Sequence, residues 1–77
     1  MIRKDVIRKE LENAFGATFK VKTNAYRAEG WLVVDMSYSN RHLLEAVTTY
    51  CKASADRWGA NKVQVGCKVE LEREVIE

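Results

Sequence analysis

The stretch SNRHLLEAVTTYCKASADRWG, residues 39–59, decides the fold of this chain. Its apolar residues recur at steps of three and four, the spacing that aligns side chains along one face of a helix. Ser39 or Asn40 can cap the start and Gly59 can end it, because each satisfies backbone groups that the helix leaves unpaired. The pattern predicts an amphipathic helix that needs an apolar sheet to lie on. The residues of its apolar face are Leu43, Leu44, Val47, Tyr50, Cys51, Ala55 and Trp58.

The segments on either side of this helix supply such a sheet. Residues 17–24 and the segment Trp31–Tyr38 alternate between two faces and predict strands, joined by a polar hairpin loop over residues 24–30. Residues 62–72 alternate most regularly and predict a third strand, after which residues 73–77 are expected to fray. A first helix is predicted over residues 2–15, ending at Gly16, with a stripe of Ile2, Val6, Ile7, Leu11, Ala14 and Phe15.

The predicted order is α-β-β-α-β in a single α+β domain covering residues 1–77. We expect both helices on one face of a three-stranded antiparallel sheet in the order 2-1-3, a truncated version of the ferredoxin-like fold. The alternative places the third strand beside the second and produces a mixed sheet. In either case the second face of the sheet is left open.

Size and charge limit the function classes. The chain has 77 residues, which is near the lower limit at which one hydrophobic core can sustain a fold. Its net charge of +2 is too small to produce a strong electrostatic attraction for polyanions. No apolar run approaches the ~20 residues of a membrane span, and the charged start does not resemble a signal peptide. We therefore expect a complete cytoplasmic protein that does not act at a membrane.

The cysteines and the histidine do not form a recognisable metal motif. Cys51 and Cys67 are isolated, and His42 is the only histidine. We expect both cysteines to be buried thiols on apolar faces, although a disulfide between them is geometrically possible in an oxidising compartment. The sequence predicts no metal site and no cofactor.

The candidates for catalysis are few. His42 falls in the first turn of the long helix and is expected to be solvent-exposed. Asp35 is the one carboxylate inside an apolar strand, and pairing with Lys20, Lys22 or Lys68 across the sheet is the expected outcome. We predict that the protein is not an enzyme.

The open face of the sheet is the candidate binding site. A tryptophan beside a valine is unusual on a solvated sheet, and apolar groups surrounded by charge are typical of interfaces. Alternatively, Trp31 folds under the hairpin loop against Tyr26. The candidate residues are Lys20, Lys22, Tyr26, Arg27, Trp31, Val33, Asp35, Gln64 and Lys68.

Two kinds of partner fit this face. Aromatic and basic groups on an open sheet can stack and hold single-stranded nucleic acid. The acidic residues Glu29, Asp35 and Glu70 dilute the positive charge that such a site requires, so a protein partner is favoured, with a homodimer through the sheet as one form of it.

One family resembles part of this sequence. The residues are Ile7 to Leu11 with Phe15, the run Phe19 to Thr23, Tyr26, and Leu32-Val33-Val34 before Ser37-Tyr38-Ser39 and a helix. They resemble a small uncharacterised α+β domain of the polyvalent proteins that phages and conjugative plasmids inject into host cells. The resemblance covers about the first fifty residues and implies a mobile-element protein. Such a protein would act in the bacterial cytoplasm, inhibiting or modulating a host or anti-phage defence complex by protein contact.

Overall fold

The computed structural model describes residues 3–24 and 29–69. In chain order it contains helix α1 (Lys4–Phe15), strand β1 (Phe19–Thr23), strand β2 (Trp31–Ser37), a 3-10 helix (Tyr38–Leu43), helix α2 (Leu44–Trp58) and strand β3 (Lys62–Lys68). The predicted α+β class and the order of its elements are confirmed. The predicted fraying of residues 73–77 lies outside the described residues.

The ends of both helices follow from glycines. Gly16 and Gly59 have φ angles of 64° and 78°, the left-handed conformation that glycine adopts without steric cost. The predicted start of the long helix is wrong, because residues 38–43 form a 3-10 helix before α2 begins at Leu44. The Ser37 hydroxyl accepts a hydrogen bond from the Ser39 amide at 3.3 Å, and the non-helical backbone of Asn40 separates this turn from α2.

The strand order is β1-β2-β3. Strand β1 pairs antiparallel with β2, whereas β3 pairs parallel with β2, from Trp31 opposite Lys62 to Ser37 opposite Lys68. The predicted order 2-1-3 and the fully antiparallel sheet are therefore wrong, and a ferredoxin-like arrangement is not confirmed. The structure has the mixed sheet that the sequence left open as the alternative.

Burial of β2 explains this order. Leu32, Val34 and Met36 are 0% exposed on its helix-facing side, and Val33 and Asp35 are 7% and 6% exposed on the other. An edge strand, which β2 would be in the order 2-1-3, exposes one side of its backbone and its flanking side chains. Strands buried on both faces lie between two neighbours. The most apolar strand of the chain therefore takes the central position.

Both helices cover one face of the sheet and share a single core with it. Ile7 and Leu11 of α1 and Val47 and Cys51 of α2 are at most 1% exposed. Two members of the predicted stripe of the first helix lie at the surface instead, namely Val6, which is 50% exposed, and Ala14. Tyr38, the last residue of the predicted second strand, is 45% exposed. Tyr38 follows the last residue of β2, so strand alternation no longer determines where its side chain lies.

We expect Leu32→Ala to cost about 3–4 kcal/mol of unfolding free energy, because it leaves a cavity in the fully buried centre of the core. Leu44→Ala is the matched control, since Leu44 is only partly buried against the same core and the loss should be about 1–2 kcal/mol. Urea denaturation followed by circular dichroism measures both values. Equal losses in the two variants would contradict the central placement of β2.

Candidate functional site

The candidate site is the sheet face turned away from the two helices, called here the open face. Phe19 and Val21 lie in the core, so Lys20 and Lys22 of β1 point to the open face. The same alternation applies to β2 and β3. The open face consists of Lys20, Lys22, Trp31, Val33, Asp35, Ser37, Lys62, Gln64, Gly66 and Lys68.

Strand register arranges these residues in rows across the sheet. Lys20, Asp35 and Gly66 form one row. The neighbouring row contains Lys22, Val33 and Gln64. All predicted binding residues that the structure describes lie on this face, whereas Tyr26 and Arg27 lie outside the described residues, as does the predicted contact of Tyr26 with Trp31.

The open face has a buried centre and an exposed rim. Val33, Asp35 and Ser37 of the central strand are 5–7% exposed. The rim is polar and exposed and consists of Lys20, Lys22, Lys62, Gln64 and Lys68. Val33 is thus more buried than the sequence suggested, and its register neighbours are Lys22 and Gln64. Instead of an exposed apolar patch, the face has a narrow central row bordered mainly by lysines.

Trp31 lies at one end of that row and is partly buried. The Lys62 Nζ atom lies 4.6 Å from the centroid of its indole ring, a distance at which a cation is attracted to the ring face. Sequence reasoning did not include Lys62 in the site. Lys62 is opposite Trp31 only because β3 runs parallel to β2, so the antiparallel prediction could not find this contact.

Asp35 is the carboxylate at the centre of the open face. The expected pairing with Lys20, Lys22 or Lys68 is not seen, since Asp35 makes no ion pair or hydrogen bond with any residue in the described part of the chain. The residue as a whole is 6% exposed. Its carboxylate oxygens are still reached by solvent, since neither of them is a fully buried atom without a partner.

A second polar cluster, which the sequence reasoning missed, joins α1 to α2. Arg57 donates to both carboxylate oxygens of Glu10, with its Nη1 2.9 Å from Oε1 and its Nη2 2.5 Å from Oε2. The Tyr50 hydroxyl donates to Oε2 at 2.5 Å, and the Trp58 indole N–H donates to Oε1 at 3.2 Å. The sequence signal was weak, because Glu10 is one of several charged residues on α1. Only the packing of the helices brings Glu10 close to Tyr50, Arg57 and Trp58.

These contacts shift the pKa of three groups. The pKa of Glu10 is lowered from 4.5 to about 2, chiefly by hydrogen bonds from Arg57 and further by those from Tyr50 and Trp58, while desolvation acts in the opposite direction. The hydrogen bond to Glu10 raises the pKa of Tyr50, and the hydrogen bonds from Arg57 to Glu10 raise the pKa of Arg57. Each group is therefore held in its ordinary protonation state at neutral pH, which suits a structural link between the helices better than proton transfer.

The cysteines are free thiols. Cys51 is buried, and burial, followed by the negative charge of Glu10, raises its pKa to about 12. A thiol with this pKa stays protonated at neutral pH and is a poor nucleophile. Cys67 is only partly buried, in contrast to the expectation for both residues.

His42 is exposed, as predicted, and lines an open depression of about 650 Å³ together with Phe15, Glu45 and Tyr50. Across residues 3–24 and 29–69, no group of three His, Cys, Asp or Glu side chains is arranged to hold a metal ion. None of the helices in this part of the chain is long and apolar enough to cross a membrane.

Comparison with known proteins yields no match. No protein-family model matches the sequence, and no curated protein or solved structure is significantly similar to it. The function must therefore be argued from the side chains of this chain.

We expect the Glu10 cluster to make stability depend on acid pH. A carboxyl whose pKa is depressed by folding stabilises the protein above its unfolded pKa, here about 4.5, and this contribution is lost as the pH falls towards 2. The Arg57 side chain is 57% exposed, so screening by solvent keeps this contribution small. Glu10→Gln should therefore lower the unfolding free energy at pH 7 and differ less from the original protein at pH 3.

Glu12→Gln is the matched control, because Glu12 lies on the same helix and its contact with Arg8, at 3.4 Å, is a surface ion pair. Chemical denaturation at a series of pH values measures all three proteins. A constant difference between Glu10→Gln and the original protein from pH 7 to pH 3 would contradict the assigned role of the cluster.

Proposed function

We propose that this chain is a small non-enzymatic binding protein that contacts a protein partner through its open face. The partner we propose is a host protein complex, such as an anti-phage defence complex, and binding inhibits or modulates that complex in the bacterial cytoplasm. The chain itself would belong to a phage or another mobile element. The protein works without a metal or a cofactor in this proposal.

The observation that carries the proposal is the arrangement of the open face. Both described helices cover the opposite face, and this one combines a buried central row with a rim of exposed polar side chains. Protein interfaces likewise have a rim of polar residues around a less polar centre. Trp31 adds an aromatic residue, a type enriched at interfaces, at the end of the row.

The mobile-element origin rests on a separate argument. The resemblance of the first fifty residues to the domain of phage and plasmid polyvalent proteins supports it. Small proteins without a catalytic centre act on larger machinery by occupying a surface, which is consistent with a chain of 77 residues.

Binding of single-stranded nucleic acid is the second candidate function. The indole ring of Trp31 and the lysines of the rim favour it, because bases stack on aromatic rings and phosphates contact lysines. Asp35 opposes it, since a phosphate backbone crossing the centre of the face would pass its carboxylate. We therefore rank a protein partner first.

Site-specific photo-crosslinking in bacterial cells tests the proposal. A benzoylphenylalanine in place of Gln64, which is exposed on the open face, should form a covalent adduct of defined mass with one protein. The same residue in place of Ala53 is the matched control, because Ala53 is exposed on α2 on the opposite side of the molecule and should form no such adduct. Light scattering shows whether the partner is a second copy of the chain.

Two results would contradict the proposal. One is an identical adduct pattern from positions 64 and 53, which would mean that the open face is not selective. The other is salt-sensitive binding of a labelled single-stranded oligonucleotide that is lost in Trp31→Ala, which would make nucleic-acid binding the function.

A further inference from the structure

Strand β3 forms one edge of the sheet. It pairs parallel with β2, and no other strand of residues 3–24 and 29–69 lies beside it. The backbone N–H and C=O groups that point away from β2 therefore have no strand partner in this part of the chain. The edge is seven residues long, Lys62–Lys68, which is the length of a complete strand. A row of backbone groups of this length can pair with an added strand.

The side chains of β3 that face the helices are incompletely covered. Val63, Val65 and Cys67 pack against the core but are only partly buried. At the opposite edge of the sheet, Phe19 and Val21 of β1 are 3% and 8% exposed. The core is thus closed along β1 and leaves apolar surface uncovered along β3. A strand added beside β3 would bury that surface while it pairs with the backbone.

The other side of β3 carries positive charge. Lys62 and Lys68 are exposed on the open face and form no ion pair with any residue of the described ranges. They are six residues apart, which corresponds to roughly 20 Å along a strand. A single acidic group cannot reach both lysines. An extended segment beside β3 has the same residue spacing and can place one carboxylate next to each of them.

A second copy of this chain matches the edge less well than an acidic strand. Pairing β3 with β3 would bring Lys62 and Lys68 of both copies onto one face of the same sheet, where like charges repel. Lysines on edge strands commonly prevent such self-association. They favour an added strand of opposite charge, so the edge can exclude copies of the chain and still accept a partner.

We propose that the protein partner adds one of its strands to the free edge of β3, with acidic side chains on the open face and apolar side chains on the helix side. This inference rests on the proposed function and names the way in which the partner binds. Backbone hydrogen bonds to β3 hold the added strand, and its alternating side chains provide specificity. Its acidic residues lie beside Lys62 and Lys68, and its apolar residues cover the partly buried side of β3.

Titration of the isotope-labelled full-length chain with the blocked peptide Glu-Val-Glu-Val-Glu-Val-Glu tests the inference by NMR. Saturable shift changes should centre on the amides of Lys62–Lys68. At saturation, the β3 amides that point away from β2 should exchange with solvent more slowly, because strand pairing protects them. The blocked peptide Glu-Glu-Glu-Glu-Val-Val-Val has the same composition and charge without the alternation, so it should bind several-fold more weakly.

Lys68→Glu and Lys22→Glu are the matched variants of the chain. Both replace an exposed lysine of the open face, but Lys68 lies on the β3 edge and Lys22 on the β1 edge. Lys68→Glu should weaken binding of the alternating peptide several-fold, because it places two carboxylates side by side. Lys22→Glu should change binding by about twofold at most, since two strand spacings, roughly 10 Å, separate it from β3 and salt screens charges at that distance. Thermal melts verify that both variants are folded at the temperature of the titration.

Equal binding of the two peptides, or equal effects of the two variants, would overturn the inference, since the open face would then attract negative charge without pairing a strand. Slow exchange of the outer β3 amides in the free chain that is lost on dilution would also overturn it, because a second copy would then occupy the edge. The crosslinking at position 64 separates these outcomes from failure of the proposed function. If that adduct forms while neither peptide binds at β3, the open face binds a protein but not by strand addition.

Discussion

The arrangement of the molecule depends on the pairing of β2 on both of its edges. This strand, Trp31–Ser37, is antiparallel to β1 and parallel to β3, so its backbone hydrogen bonds are directed to two neighbours. A parallel neighbour requires a crossover, and α2 provides it. Because α1 and α2 both pack on the helix-facing side of β2, the open face and its central row follow from the same constraint.

Two carboxylates illustrate how differently the fold treats charge. Glu10 receives hydrogen bonds from Tyr50, Arg57 and Trp58, and its charge links the two helices. Asp35 lies opposite Lys20 on the open face, and solvent still reaches its carboxylate oxygens although the residue is 6% exposed. The position of Glu10 is explained by its contribution to the stability of the chain. The contacts of Asp35 do not explain its position in that way, and its location on the open face places it in the proposed binding site.

The elements of the fold could be predicted from local sequence, and their assembly only in part. Helix α1, the three strands and the glycine ends of both helices follow from periodicity and from the conformational freedom of Gly16 and Gly59. Strand order could not be derived in this way, since both arrangements place the apolar side of β3 on the helices. The evidence that decides it was present in β2, where Val33 lies between two core-facing residues and needs cover on the second face.

The open face was predicted from strand alternation, which does not depend on strand order. The neighbours within it do depend on that order, so Gly66 beside Asp35 and Lys62 on Trp31 could not be foreseen. The Glu10 cluster was missed for a related reason. Glu10 is separated from the other three residues by 40 to 48 positions in sequence, and only the contact between the helices brings them together.

The most direct test of this account is the unfolding free energy of Asp35→Val at pH 7, with Asp35→Asn measured alongside. Valine has a similar volume, favours strands and removes a carboxylate from the middle of the central strand, so we expect the protein to become about 1 kcal/mol more stable. Asparagine removes the charge alone and should leave stability unchanged or slightly increased. A loss of about 1 kcal/mol or more in both variants would show that Asp35 supports the fold itself, and would contradict its place in the proposed binding face.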